Sequence, residues 1–356
     1  MKIVTIVGAR PQFVKAAPVS QALRRQFTEL ILHTGQHYDE NMSRVFFDEL
    51  GIPRPDKNLE IGSDSHARQT AAILVGVEQY LVQEMPDLVI VYGDTNSTLA
   101  GAVAASKMGV RIAHIEAGLR SFNRVMPEEI NRIVADRLAD LLFCPTQTSV
   151  ENLRHEGMVT GVHNVGDVMF DAALKFSPLA ESRSAILTRL ELSSKQYSLL
   201  TLHRAENTDS QERLTAIVSA ILAAEETTVF PVHPRTVKYL KQYQLYQKLE
   251  QSDNVLLTEP VSFLDMICLE KNARQILTDS GGVQKEAYFY QVPCITLREE
   301  TEWVETVTDG WNCLVGADAQ KIISAIQSFS PNTPQKGHYG DGTASDKIVA
   351  TLNSCA

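Results

Sequence analysis

From Lys2 onward, short runs of β-branched and other apolar residues alternate with longer stretches whose apolar positions recur every three to four residues. The short runs predict strands over 2–7, 29–33, 88–92, 111–115, 141–144 and 161–165. A second set falls at 198–202, 228–232, 254–258, 274–278 and 294–297. Several are unbroken apolar runs, such as Leu-Val-Ile-Val-Tyr at 88–92, the pattern of parallel strands covered on both faces. Helical spacing marks 18–26 and 68–83, and 211–224 follows the capping residues Thr208, Asp209 and Ser210. Strand and helix alternating in this order predict a doubly wound α/β fold.

The strands are too many for one comfortable sheet, and a polar, helix-prone stretch over 164–194 separates the two sets. The expected organisation is a Rossmann-like domain over 1–167 and a second over 168–344. A loop rich in proline and glycine (Pro331, Pro334, Gly337, Gly340, Gly342) then leads into a helix over 345–356 that packs back on the first domain. Two domains of this kind, facing each other across a central cleft, would bring the carboxyl ends of both sheets to the place where such sheets bind ligands.

Composition narrows the function. Of 356 residues, 44% are hydrophobic and 21% charged, ordinary values for a globular chain. The longest apolar runs fall far short of the ~20 residues that span a bilayer, and the first stops at Arg10-Pro11, too early for a signal peptide. A net charge of −10 excludes sequence-independent binding to nucleic acid, which needs a basic surface. Five scattered cysteines without a C-x-x-C pair give neither a disulfide scaffold nor a structural zinc site and fit a cytoplasmic protein.

The polar signal lies just after the strands. The first ends in Gly8-Ala9-Arg10-Pro11 with Lys15 beyond, which is neither G-x-G-x-x-G nor a P-loop, so hydride transfer and ATP hydrolysis lose their usual support. Later strands end in Gly93-Asp94 and in Glu116, and Pro127 opens a helix carrying Glu128 and Glu129. Acids at a helix start also serve its dipole, and Asp94 could be a simple cap. Three such features in succession instead suggest carboxylates converging on one site for proton transfer. In the second half, strands end in His203-Arg204 and in His233-Pro234-Arg235, a pattern of anion recognition without metal-ligand spacing. Ser280-Gly281-Gly282 between strand and helix offers bare main-chain amides to a phosphate, with Glu286 one turn on for a ribose diol.

These motifs resemble those of the non-hydrolysing UDP-N-acetylglucosamine 2-epimerases over nearly the whole length. The marks are Gly8-Ala9-Arg10-Pro11 with Lys15, His33-Thr34-Gly35-Gln36-His37, Gly93-Asp94-Thr95 and His114-Ile115-Glu116-Ala117-Gly118-Leu119-Arg120. They continue in Pro127-Glu128-Glu129-Ile130-Asn131-Arg132, His203-Arg204-Ala205-Glu206-Asn207 and Asp279-Ser280-Gly281-Gly282. The resemblance implies a GT-B type fold, a homodimer, a UDP-sugar substrate, no cofactor and no metal. Its chemistry is reversible inversion at sugar carbon 2 through loss of UDP to a 2-acetamidoglucal. Asp94, Glu116, Glu128 and His203 fall on catalytic positions. Arg10, Ser280, Gly281, Gly282 and Glu286 fall on UDP-binding positions, with Lys15, His233 and Arg298 counted beside them. Which group removes the proton and which returns it stays open.

This sequence departs from the family pattern in two places. Many members have Thr-Glu-Arg-Pro-Glu where this chain has Thr301-Glu302-Trp303-Val304-Glu305. An aromatic ring thus replaces a cation able to reach substrate, which keeps a 2,3-diacetamido uronic acid sugar open as the alternative substrate. After Gln36-His37 the chain lacks the glutamine that helps hold an activating second substrate molecule, which argues against such activation. A glycosyltransferase of similar fold and a non-catalytic nucleotide-sugar sensor are the other classes; neither needs clustered acids.

Overall fold

The computed structural model describes residues 1–36 and 51–355. His37 and the departure that follows it lie outside the described residues. The chain divides into two compact units, one of residues 1–175 with 337–356 and one of residues 176–336. Each is a parallel sheet wound with helices, the α/β class that the alternation predicts.

In the first unit the strands are β1 (Lys2–Val7), β2 (Thr28–His33), β3 (Lys57–Asn58), β4 (Leu88–Tyr92), β5 (Arg111–Ile115), β6 (Leu141–Cys144) and β7 (Val162–Asn164). Their order is β3-β2-β1-β4-β5-β6-β7, with every pairing parallel. The second unit contains β8 (Ser198–Thr201), β9 (Thr228–Pro231), β10 (Val255–Thr258), β11 (Gln275–Thr278), β12 (Cys294–Thr296) and β13 (Asn312–Leu314), ordered β10-β9-β8-β11-β12-β13. Strand order therefore reverses between β1 and β4 in one unit and between β8 and β11 in the other. At such a switch point the flanking crossovers leave in opposite directions and open a crevice at the carboxyl ends.

Packing sets how closely the helices reach those ends. All five residues of β4 are buried, and the helix Asn96–Lys107 turns small residues (Ala100, Gly101, Ala104, Ala105) toward the sheet. A Cβ on Gly101 would come within 2.8 Å of Ile6, so glycine there permits the close approach. The helix Arg10–Leu23 begins soon after β1, eight residues before the apolar spacing at 18–26 suggests. Pro18 lies inside this helix rather than at its start.

The helix Val168–Arg183 runs on past Asp167, so the division between units falls within a helix. The C-terminal helix Ala344–Ser354 packs on the helix Arg10–Leu23. Its first amides are accepted by Asp171, at 3.1 Å from Ala344 N–H and 2.7 Å from Ser345 N–H. Among the described residues no helix is long and apolar enough to cross a membrane.

Candidate active site

At the first switch point the end of β1 is tied to the end of β4 by one side chain. Gln12 Oε1 accepts the amides of Gly8 and Ala9 at 2.8 and 3.1 Å, and its Nε2 donates to the Tyr92 carbonyl at 2.9 Å. Gly8 has no room for a side chain, since a Cβ would lie 2.1 Å from Thr34 Oγ1 and 2.2 Å from Ser97 Oγ. In the space so defined Lys15 forms an ion pair with Glu116. Gly93, at φ +60°, lies against both. A Cβ there would fall 2.9 Å from Glu116 Oε2 and 3.1 Å from Lys15 Nζ.

Glu116 itself is buried and holds a left-handed backbone, φ +73°, which costs a non-glycine residue of order 1 kcal/mol and is found where surrounding structure imposes it. Its amide and that of Ala117 both donate to the Phe143 carbonyl, at 3.0 and 3.1 Å. The turn after β5 is thereby bound to β6.

Asp94, next to Gly93, is paired with Arg132, and its main-chain carbonyl accepts Asn131 Nδ2 at 2.8 Å. Both partners come from the helix Pro127–Leu138, which buries Glu129, Asn131, Arg132 and Asp136. A helix that turns its ionisable face inward must satisfy each charge. Glu129 accepts Ser121 N–H, Ser121 Oγ–H and Phe122 N–H at 2.9, 3.1 and 3.0 Å, and pairs with Arg132 at 3.2 Å. Glu128 is half-buried and has no hydrogen-bond or ion-pair partner among the described residues. The two neighbouring acids are therefore in different states: Glu129 braces the loop before the helix, and Glu128 is available. Arg10 stands exposed at the start of the helix after β1.

At the second switch point the organising group is Asp279, fully buried after β11. Its carboxylate accepts the amides of His203 at 3.1 Å and Arg204 at 3.0 Å, and Asn207 Nδ2 at 3.2 Å. The turn that carries His203 is thus fastened to the strand that leads into Ser280. The rings of His203 and His233 lie 5.9 Å apart, centroid to centroid, so the two histidine-ended strands do converge. His233 Nδ1 accepts the Arg235 amide at 3.1 Å and caps its own helix. Enclosure of the ring pushes the His203 pKa below the ordinary 6.5, against the pull of Asp279 and helped by Arg204 and Arg235. The lowered pKa favours the neutral ring, and 42% of the side chain is still open to solvent.

A pH dependence follows. If neutral His203 is required, activity falls as pH drops through its lowered pKa, placing the acid limb of kcat/KM below pH 6.5. Replacing Arg235 by glutamine removes one of the charges that depress it and is expected to move that limb upward in a pH–rate profile. A limb that stays in place or moves down would show that another group is being titrated.

Ser280 caps the helix Gly281–Phe289, its Oγ receiving the Val283 amide at 3.5 Å. The two glycines differ. A Cβ on Gly281 would meet Glu302 Oε1 at 2.5 Å and Trp303 Nε1 at 3.1 Å, whereas one on Gly282 would meet only Ser280 Oγ at 3.8 Å. Gly281 is small because it is packed, whereas the side-chain position of Gly282 is open. Arg298 is buried behind this turn, paired with Glu302 at 3.1 Å, and Glu286 is half-buried further along the helix. Trp303 is buried too, with Lys285 Nζ 3.9 Å from its ring centroid. The aromatic departure is thus packed against the glycine turn, with its indole nitrogen 3.1 Å from where a Gly281 Cβ would lie.

Sequence reasoning passed over Asp279, Arg132 and Asp136 as single residues, although they stand in or beside quoted motifs. The usable signal was the Asn-Arg-x-x-x-Asp spacing, which puts three polar residues on one buried face of the helix.

With this geometry in view, the comparisons with known proteins are specific. The model of the UDP-N-acetylglucosamine 2-epimerase family matches residues 21–353. A UDP-N-acetylglucosamine 2-epimerase homolog of Methanococcus maripaludis is 56% identical, across 99% of this chain and 100% of that one. The UDP-2,3-diacetamido-2,3-dideoxy-D-glucuronate 2-epimerase of Pseudomonas aeruginosa is 50% identical, with 99% of each covered. The crystal structure of the Methanocaldococcus jannaschii UDP-GlcNAc 2-epimerase in complex with UDP-GlcNAc and UDP superposes with a TM-score of 0.94 at 44% identity, covering 99% of this chain and 100% of that one. A shared fold with this degree of identity from end to end leaves one conclusion: the chain belongs to the UDP-N-acetylglucosamine 2-epimerase family.

Proposed function

We propose that the chain catalyses reversible epimerisation at carbon 2 of a UDP-2-acetamido sugar, interconverting UDP-N-acetylglucosamine and UDP-N-acetylmannosamine. The observation that carries the reading is Glu116, buried, held in a strained backbone and paired with Lys15 at a switch point, beside Asp94. In the reaction a base takes the C2 proton, the C2–H electrons form the C1=C2 bond, and the C1–O bond breaks to release UDP. The resulting 2-acetamidoglucal regains UDP at C1 while a proton arrives on the other face of C2. Atoms and electrons balance without an oxidant or reductant. Inversion needs proton-transfer groups on both faces of C2, and Asp94, Glu116, Glu128 and His203 are the set assigned to this work. Lys15 supports Glu116.

The departing diphosphate needs donors arranged in advance for its growing charge. The Gly282 amide at a helix start, with Ser280 and Gly281, supplies them. Arg10, His233 and Arg298 add further donors and charge, and Glu286 accepts from the ribose. A second substrate, the UDP-2,3-diacetamido uronic acid sugar, is favoured by the 50% identity to the Pseudomonas aeruginosa enzyme; the chemistry at C2 would be the same. Incubating the protein with each sugar in deuterated water is expected to place deuterium at C2 of UDP-N-acetylglucosamine and to yield both epimers without an acceptor. Exchange confined to the diacetamido sugar would transfer the assignment to it, and no exchange with either would remove the function.

A further inference from the structure

The buried face of the helix Pro127–Leu138 contains a second ionic cluster beside the pair on Asp94, and the mechanism above does not use it. At its centre is His114 on β5, wholly buried. Its Nδ1 lies 2.7 Å from Asp136 Oδ1, and its Nε2 lies 2.7 Å from the carbonyl oxygen of Gly93. A carbonyl can only accept, so Nε2 carries a proton. Asp136 also accepts the Gly118 amide at 3.2 Å and Arg120 Nη1 at 2.7 Å, and Arg120 in turn is bidentate to Glu156 at 2.7 and 2.9 Å. Burial pushes the Asp136 carboxyl upward, but His114 and Arg120 outweigh it and hold the group below its ordinary range. His114 is thus clamped between two oxygen partners, the Asp136 carboxylate and the Gly93 carbonyl.

What the clamp touches gives it meaning. Gly93 immediately precedes Asp94 and lies against the Lys15–Glu116 pair. His114 and Gly118 each stand two residues from Glu116, one on either side, and both are tied to the same Asp136 carboxylate. The left-handed conformation of Glu116 is thus fixed from both directions, and the Gly93 turn is fixed to it. A merely stabilising cluster could sit anywhere in the core; this one holds the carbonyl just before Asp94 and a residue on either side of Glu116.

We propose that His114, oriented by Asp136, is a positioning residue for the reaction: its Nε2–H, bonded to the Gly93 carbonyl, sets the relative placement of Asp94 and Glu116. The role rests on the epimerase reading above.

Glutamine places an amide nitrogen where Nε2 lies, and asparagine does not reach it. His114→Gln therefore keeps the bond to Gly93, and His114→Asn loses it at similar polarity and bulk. We expect kcat for C2 deuterium exchange to fall roughly 100-fold or more in His114→Asn and at least ten-fold less in His114→Gln. KM is expected to stay within about three-fold in both, and calorimetric affinity for UDP to be unchanged, which confines the loss to the chemical step. Equal kcat in the two variants, or a loss expressed in KM alone, would overturn the tether. Should His114→Asn fail to fold, Asp136→Asn serves as the second test: it leaves a neutral acceptor for Nδ1, and kcat reduced with unaltered UDP affinity supports the role, whereas wild-type kcat overturns it. A wild-type protein that exchanges no deuterium sinks the epimerase reading and this role with it, an outcome distinct from wild-type exchange that the substitutions leave untouched.

Discussion

Replacing Glu116 by glutamine is expected to lower turnover by ~10²–10⁴-fold, the range that a positioned proton-transfer group contributes. The amide has the size and planarity of the carboxylate, so the left-handed turn and its two bonds to the Phe143 carbonyl are unaffected. Lys15 keeps an acceptor in the amide oxygen and, with 12% of its side chain exposed, some access to water. The cost of leaving its charge without a counter-ion is accordingly below that of a fully buried pair. What the variant lacks is any ability to take or deliver a proton. Progress curves by proton NMR, alongside a thermal melt, separate the two effects: lost turnover with a nearly unchanged Tm is expected. Turnover within three-fold of wild type would remove Glu116 from the chemistry and leave it a structural counter-ion for Lys15.

Leucine at Gly282 is expected to weaken UDP binding by about 100-fold, equivalent to about 2.7 kcal/mol. In the free protein a Cβ at this position meets nothing nearer than Ser280 Oγ at 3.8 Å. The loss would therefore come from the ligand: an isobutyl group over the helix start keeps a diphosphate away from amides that act only at hydrogen-bond distance. Alanine at Gly281 is the contrasting case. Its Cβ would fall 2.5 Å from Glu302 Oε1, and the buried Arg298–Glu302 pair must shift to admit it. That substitution is expected to lower Tm, while Gly282→Leu lowers affinity. Calorimetric titration with UDP reads the second effect directly, and a Kd within three-fold of wild type would mean that the phosphate does not sit on this turn.

Much of this arrangement was legible in the sequence because parallel strands buried on both faces leave unbroken apolar runs. The runs at 2–7, 88–92, 111–115 and 141–144 coincide with β1, β4, β5 and β6. The edge strands β3 and β13 were not foreseen. Lys57–Asn58 is two exposed residues, and Asn312–Leu314 is one buried residue followed by two half-buried ones, too short for a periodicity to register. The helix over Arg10–Leu23 began earlier than its apolar spacing, because its first turn is fixed by Pro11 and Gln12 rather than by burial of a stripe. Within the site, the strand-end acids and the Ser280-Gly281-Gly282 turn could be named from residue type alone. The difference between Glu128 and Glu129 could not. It depends on which of two adjacent side chains faces the Ser121 turn, and only the helix phase set by Arg132 and Asp136 decides that. Trp303 could be singled out as a departure from its motif, but its packing beneath Lys285 could not be read from residue type.

The C-terminal helix, whose first amides rest on Asp171, has a bearing on biosynthesis. The first unit draws on both ends of the described chain, and the second is one continuous segment between them. On the ribosome, residues 176–336 are fully synthesised before the piece that completes the neighbouring unit has been translated. The outer side of the helix Arg10–Leu23 must therefore wait uncovered through the translation of the whole intervening segment, an interval in which a nascent chain is open to chaperones and to aggregation.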